Sequence, residues 1–205
     1  MGEEHVWLAQ LTAKLTARIA AQHLGYYKWA VTPLGRGFDD FFGYFQGQED
    51  YYNHTVRGHY NLSEHMEVFG YDFWNGTAVH WNASTASRFH NCSGDADPGC
   101  KDPTSHSKYS THLFTEQAVH VIEQHAKRPL VGGAMQPLFL YLAWQAIHGP
   151  IEAPPECIEP FENSGMSGDR LKTAGMIHCM DKGVGEVVSA LKEALMWNNT
   201  LFIFT

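Results

Sequence analysis

The sequence predicts an α/β fold in which a mixed, mostly parallel sheet is flanked by helices, and three observations carry that expectation. Leu138 to Ala143, inside PLFLYLAWQAIHGP, is a short aliphatic and aromatic run without alternation, the pattern of a strand covered on both faces in a parallel sheet. Amphipathic helical patterns stand on either side of it, over Thr111 to Ala126 and from about Asp169 to Met196. A second apolar run, Thr200 to Thr205, follows the second helix, and a strand, helix, strand series with this crossover length reads as a right-handed βαβ unit.

Composition bounds the possibilities. A chain of 205 residues with 44% hydrophobic content can bury a real core and most simply makes one domain or most of one. Fourteen Lys and Arg against twenty-two Asp and Glu leave a net charge of -8, which argues against nucleic acid as a partner. Thirteen histidines would turn that charge to about +5 in acid, because the ordinary imidazole titrates near ~6.5. An acidic compartment would therefore reverse the field met by an anionic substrate.

Taken in order, the chain opens with Glu3, Glu4 and His5, followed by Leu8, Leu11, Leu15 and Ile19 at helical spacing. This predicts an amphipathic helix over Met1 to Gln22 rather than the charged entry and solid apolar core of a signal peptide. No stretch approaches the roughly 18 apolar residues of a membrane span, so a soluble protein is expected. Gly35 to His54 mixes glycines and aromatics without a period and reads as a packed loop. Its adjacent Asp39 and Asp40 have no third ligand at matching spacing and are not read as a metal pair.

From Thr55 to Ser110, short runs such as MEVFGYDFW and TAVHW alternate with turn signals, as in a small hairpin excursion. Six of the eight asparagines, Asn53, Asn61, Asn75, Asn82, Asn91 and Asn198, begin N-x-Ser/Thr acceptor patterns. Five crowd into residues 53 to 91, which marks that segment as solvent-facing and the protein as one that meets the secretory pathway. Cys92 and Cys100 bracket SGDADPG, whose Gly, Asp and Pro would let a local disulfide close. Cys157 follows Pro154-Pro155, Cys179 sits in a helical pattern as a buried thiol, and neither has metal-type neighbours.

The first helix places Phe114, Ala118, Val121, Ile122 and Ala126 on one face behind Thr111 as N-cap. Lys127 to Gln136, with Gly132-Gly133, forms a long turn into the apolar strand. His148 then lies just past the carboxyl end of that strand, where ligands bind in open α/β sheets. In the second helix Ile177, Met180, Val184, Val187, Leu191 and Leu195 form the apolar stripe. Gly183 and Gly185 weaken that helix by roughly 1 kcal/mol each, and close packing against a sheet is the expected reason for them. The residues that should face His148 would come directly after Thr205, so the chain is expected to be incomplete.

The motifs resemble the sulfatase family, most closely its arylsulfatase B type (N-acetylgalactosamine-4-sulfatase), from about Leu8 to Thr205. HLGYYKWAVTPLGRGFDDFFGYFQGQEDYY is similar to the family's G-K-W-H-L-G segment with its R-G-F-D and F-G-Y continuation. PLFLYLAWQAIHGP resembles its second histidine-bearing strand, and AGMIHCMDKGVGEVVSAL with WNNTLFIFT resembles the helix and strand before its D-N-G metal ligands. The resemblance implies an alkaline-phosphatase-like sandwich, of which residues 1-205 would be a partial domain. It implies a formylglycine made from cysteine in C-x-P-S-R, a divalent cation taken as calcium, and a ring of His and Lys around the sulfate. By the same resemblance His23 would contact the formylglycine, and His148 would touch the sulfate or protonate the leaving oxygen. Secretion or a lysosomal location is implied as well.

The departures are specific. No cysteine here begins C-x-P-S-R, the family's paired aspartates are missing before His23, and Ala21 stands where the sulfate-binding lysine belongs. The expected reading is a sulfatase family member acting on aryl sulfates or sulfated glycans, with this chain inactive alone. The alternative is a non-catalytic binding module for sulfated glycans. A phosphodiesterase relative on the same fold lacks its own metal ligands here.

Overall fold

The computed structural model describes residues 15–21, 25–47, 49–60, 66–79 and 108–205. Its main sheet has five strands in the order β6-β5-β2-β1-β7, where β1 is Leu15–Ala21, β2 Asp40–Tyr44, β5 Trp74–Asn75, β6 Ala78–Val79 and β7 Leu138–Ala143. The sheet is mixed. β1 runs parallel to both β2 and β7, and the two-residue strands β5 and β6 close the other edge in antiparallel pairs. Beside it, β3 (Thr55–Tyr60) and β4 (Met66–Tyr71) form the expected hairpin.

Two segments not expected to be strands form strands. Leu15–Ala21 is a strand, not the end of an amphipathic helix. A spacing of four residues, as between Leu15 and Ile19, keeps side chains on one face at either period, and pairing with β2 and β7 decides the matter. Asp40–Tyr44, read as loop, is likewise a strand whose Phe41 to Tyr44 are all buried, because it sits between β1 and β5.

The core forms where helix α1, Ser110–Ala126, lies against β1, β2 and β7, and where helix α3, Gly168–Glu193, which follows the short helix α2 (Pro155–Ile158), packs on α1. Phe114, Ala118, Val121 and Ile122 are buried on α1 as their spacing predicts, together with Leu113 and His125, whereas Ala126 of the predicted face is only half-buried. Phe114 meets Phe73, nearly parallel, with centroids 5.7 Å apart, and Phe73 meets Phe42 edge-on at 5.1 Å. The helix begins one residue before Thr111, with Tyr109 in the cap position.

The buried face of α3 is rotated from the predicted stripe. Met176, Cys179, Gly183, Val187, Ala190 and Leu191 point inward, whereas Ile177 and Leu195 are exposed. Glycine explains the rotation: a Cβ on Gly183 would stand 2.4 Å from Thr115 Oγ1, so the helix turns its smallest residue toward α1. The close approach is to a helix rather than a sheet, and Gly185 faces open space.

At the other side of the core, β7 is an edge strand. Its burial alternates, with Phe139 and Tyr141 exposed, so the expected cover on both faces is not seen among the described residues. Thr200 to Thr205 is not a strand here, and Leu201 to Phe204 are exposed. A run of strand type becomes a strand only when a neighbour takes its backbone hydrogen bonds. The turn from α1 to β7 is tight, with a bridge between Val131 and Ala134 across Gly132 and Gly133, both at positive φ.

Candidate functional site at the carboxyl edge of the sheet

Because β1, β2 and β7 are parallel, their carboxyl ends open onto one edge. Register sets Ala20 beside Ala143 and Ala21 beside Tyr44, so the chain leaves the three strands almost level. His148 lies in the loop after β7, exposed, as its place in the sequence predicts. The other histidine of the sequence reading, His23, follows β1 by two residues and lies outside the described residues.

The backbone of the His148 loop is held from three sides. Gln145 is buried; its Oε1 accepts from Ser110 Oγ at 2.6 Å, and its Nε2 donates to the main-chain carbonyl of Glu49. The Gln145 carbonyl in turn accepts from the His148 amide at 2.9 Å. Tyr51 donates its hydroxyl to the His148 carbonyl at 2.8 Å and stacks on Tyr109, with centroids 4.9 Å apart. Tyr109 donates to the Glu152 carbonyl at 2.8 Å, and the Glu152 carboxylate accepts from the Tyr51 amide at 3.2 Å. The Ala146-Ile147 and Gly149-Pro150 peptides are cis. Residues from before β3, about a hundred positions away, and from the start of α1, 35 to 43 positions away, thus fix the loop while its imidazole faces solvent.

Sequence reasoning missed Tyr51, Gln145, Ser110 and Glu49. A signal existed for three of them: Glu49 and Tyr51 lie in QEDYY and Gln145 in LAWQAIHGP, both singled out as motifs. The imidazole itself is oriented by its neighbour, with Nδ1 2.9 Å from the Gly149 carbonyl. Donation from Nδ1 leaves Nε2 as the nitrogen able to take up or give a proton.

A disulfide between Cys157 and Cys179 ties the segment after this loop to α3. This corrects the reading of Cys179 as a buried thiol. Oxidation was not legible because the partners stand 22 residues apart on separate elements, whereas the Cys92–Cys100 pair was judged by a short loop. Cys92 and Cys100 lie outside the described residues. His112 Nε2 approaches Cys179 Sγ to 3.4 Å, so the cysteine does have a metal-type neighbour. With both sulfurs in the disulfide, the three groups do not form a thiolate site.

The electrostatics beneath the loop are those of buried acids. Glu49 is fully buried, with neither carboxylate oxygen hydrogen-bonded, and burial first, then the charges of Asp72 and Asp50, hold its carboxyl well above the usual range. Burial also raises Asp72, opposed by hydrogen bonds from the Gln46 amide, Trp74 Nε1 and the Phe45 amide. The Tyr44 and Tyr71 hydroxyls are pushed upward by burial and then by the Glu49 charge.

Calcium takes six to eight oxygen ligands. Among the described residues no three carboxylates converge, and the one cluster of three ligand-type residues is His112 with the disulfide sulfurs, which does not suit that ion. The residues present do not fit a calcium site.

Of the sequon asparagines, Asn75 and Asn198 are exposed and Asn53 is half-buried, with its amide donating to Asp50 Oδ1 at 2.7 Å. Asn61, Asn82 and Asn91 lie outside the described residues. Among the described residues no helix is long and apolar enough to cross a membrane.

Comparison with known proteins gives the family and the fold. The model of the sulfatase family matches residues 4–205. The chain is 30% identical over 190 residues to arylsulfatase J of Mus musculus, an alignment covering 93% of this chain and 26% of that protein. The chain thus spans about a quarter of the length of this curated relative. The structure of Ps i-CgsB in complex with k-i-k-neocarrahexaose superposes with a TM-score of 0.64 at 23% identity, covering 92% of this chain and 36% of that one. The yidJ protein of Bacteroides fragilis, proposed to be a sulfatase, superposes with a TM-score of 0.54 at 16% identity, covering 95% and 40%. These structures share a fold with this chain, the alkaline-phosphatase-like fold expected from the motifs.

Proposed function

Since the chain belongs to the sulfatase family, we propose that the protein hydrolyses sulfate esters of aryl or glycan substrates at the carboxyl edge of its sheet. One observation carries the reading: β1 and β7 are adjacent and parallel with their ends in register, so His148, in the loop after β7, lies at the edge where both strands end. In this reading His148 holds its tautomer through Gly149, and protonated Nε2 gives its proton to the leaving alcohol oxygen or hydrogen-bonds the sulfate. By resemblance His23 would contact the formylglycine of the family. Calcium is expected for the intact family enzyme, with ligands that are not present in this chain, and no role here is assigned through it.

The finer assignments follow from the same premise. The motif order supports the arylsulfatase B type, and residues 1-205 are part of a larger domain whose central sheet is mostly parallel. The sequons and the family favour a glycosylated, secreted or lysosomal protein. The neighbour solved with a carrageenan oligosaccharide supports a sulfated glycan as substrate.

The test is hydrolysis of a chromogenic aryl sulfate by the full-length protein with calcium, from acid to neutral pH. Turnover is expected, and His148→Ala should lower it by at least about 100-fold, the scale of a lost general acid, with unchanged thermal unfolding. Unchanged turnover in that variant removes His148 from the site. A second reading is favoured by Ala21 at the lysine position and by the lack of x-P-S-R after any cysteine: a non-catalytic module that binds sulfated glycans. Binding without turnover in the full-length protein would select it.

A further inference from the structure

Beyond the histidines, the same edge carries an aromatic surface that the hydrolytic reading does not use. Tyr26, Tyr27 and Trp29 follow one another closely after β1 and are 48%, 79% and 55% exposed, an expensive way to display large rings unless something covers them. The backbone beneath them is firmly set. Trp29–Val31 is a 3-10 turn in which the Trp29 carbonyl accepts from both the Thr32 amide at 3.0 Å and the Thr32 hydroxyl at 2.7 Å. Arg36 Nε donates to the Val31 carbonyl at 2.9 Å. Gly35 is pressed so closely against Trp29 that a Cβ there would stand 2.1 Å from the Trp29 carbonyl. Tyr26 stacks on Phe45, just past the carboxyl end of β2, with centroids 6.1 Å apart, and Phe45 stacks on Phe41 at 4.9 Å, so Tyr26 is rooted at that edge of the sheet. Among them Lys28 holds its ammonium 5.3 Å from the Tyr27 ring centroid.

We propose that Tyr26, Tyr27, Lys28 and Trp29 form a platform that binds the chain of a sulfated oligosaccharide beside the histidine edge, the rings stacking on sugar faces and Lys28 pairing with a sulfate. The proposal rests on the sulfatase reading above. Rigid aromatics give large contact area at low entropic cost, and sugar rings offer flat apolar faces to meet them. Lys28 places a cation among the rings, which locally favours an anionic ligand over a neutral one against the chain's net charge of -8. Continuity with the edge that carries His148 favours substrate over a protein partner.

The experiment is calorimetric titration of the full-length protein with a sulfated galactan oligosaccharide and with its chemically desulfated counterpart. Tyr27→Ala and Trp29→Ala should each weaken both ligands by about tenfold, the scale of one lost ring contact. Lys28→Gln should weaken the sulfated ligand alone. Because the rings are exposed, thermal unfolding should stay unchanged in all three variants. No binding by the unsubstituted protein, or equal affinities in all variants, overturns the platform. Turnover of a small aryl sulfate by the unsubstituted protein is read in parallel. Its absence would sink hydrolysis whatever the oligosaccharide does, whereas turnover with variant-insensitive binding would sink the platform alone.

Discussion

The hydroxyl of Tyr51 donates to the main-chain carbonyl of His148 at 2.8 Å, joining the segment before β3 to the loop after β7. Since Tyr51 is itself fully buried and stacked on Tyr109, the bond is made by an anchored donor to a surface loop. Tyr51→Phe keeps the stack and deletes the bond. It should cost about 1 kcal/mol, and the amides around His148 should exchange with solvent faster while those of α1 do not. Native-state hydrogen exchange reads this directly, and an unchanged rate at His148 would mean that the loop is held without Tyr51.

Gly183 and Gly185 allow a paired test of packing. Alanine at position 183 would place its Cβ 2.4 Å from Thr115 Oγ1, an oxygen already bonded to the Thr111 carbonyl at 2.8 Å and to Trp144 Nε1 at 3.0 Å. The overpacking, about 1 to 3 kcal/mol, outweighs the roughly 1 kcal/mol gained in helix propensity, so Gly183→Ala should destabilise. Gly185→Ala meets nothing within 4 Å and should stabilise by up to about 1 kcal/mol. Urea unfolding of the two variants decides, and shifts of the same sign would show that α3 is not packed on α1 in this way.

How far the sequence could be read follows from which physical signals are local. Phe114, Ala118, Val121 and Ile122 were found because a helix writes its buried face into a spacing of three and four. Leu138–Ala143 and the position of His148 were found because an apolar run ending in a Gly-Pro turn is also a local signal. Leu15–Ala21 was misread because its spacing serves both periods, and only pairing with two other strands makes it a strand. The rotated face of α3 depends on a contact between Gly183 and Thr115, far apart in sequence, and the anchoring of His148 by Tyr51 and Gln145 depends on side chains converging from three elements. Such long-range contacts leave no period to detect.

The Cys157–Cys179 disulfide closes a loop with a sequence separation of 22, which includes the turn between the His148 segment and α3. Limiting the unfolded chain in a loop of that size contributes about 3 kcal/mol. Replacing both cysteines with serine should lower stability by that order, and a reducing agent should do the same to the unsubstituted protein but not to the variant. A reductant effect of equal size on both would place the sensitive bond elsewhere.

Glu49 sets the sign of one pH dependence. Its folded carboxyl lies well above the ordinary range, chiefly through burial and then through the Asp72 and Asp50 charges, while the unfolded group titrates near ~4.3. Below that value both states carry the proton and the burial of Glu49 costs nothing extra. As pH rises above it the unfolded chain ionises first, so folded stability falls until the folded carboxyl also gives up its proton. Asp72, raised by burial against its three hydrogen bonds, adds in the same direction. The protein should therefore be more stable in weak acid than at neutrality as far as these groups decide. Glu49→Gln removes one titrating proton, and should flatten stability against pH above the unfolded value of ~4.3 by up to about 1.4 kcal/mol per unit until the folded carboxyl would ionise. Unfolding free energies of the two proteins at several pH values measure the slopes. Parallel slopes would mean that Glu49 is ionised in the folded state and has found a cationic partner.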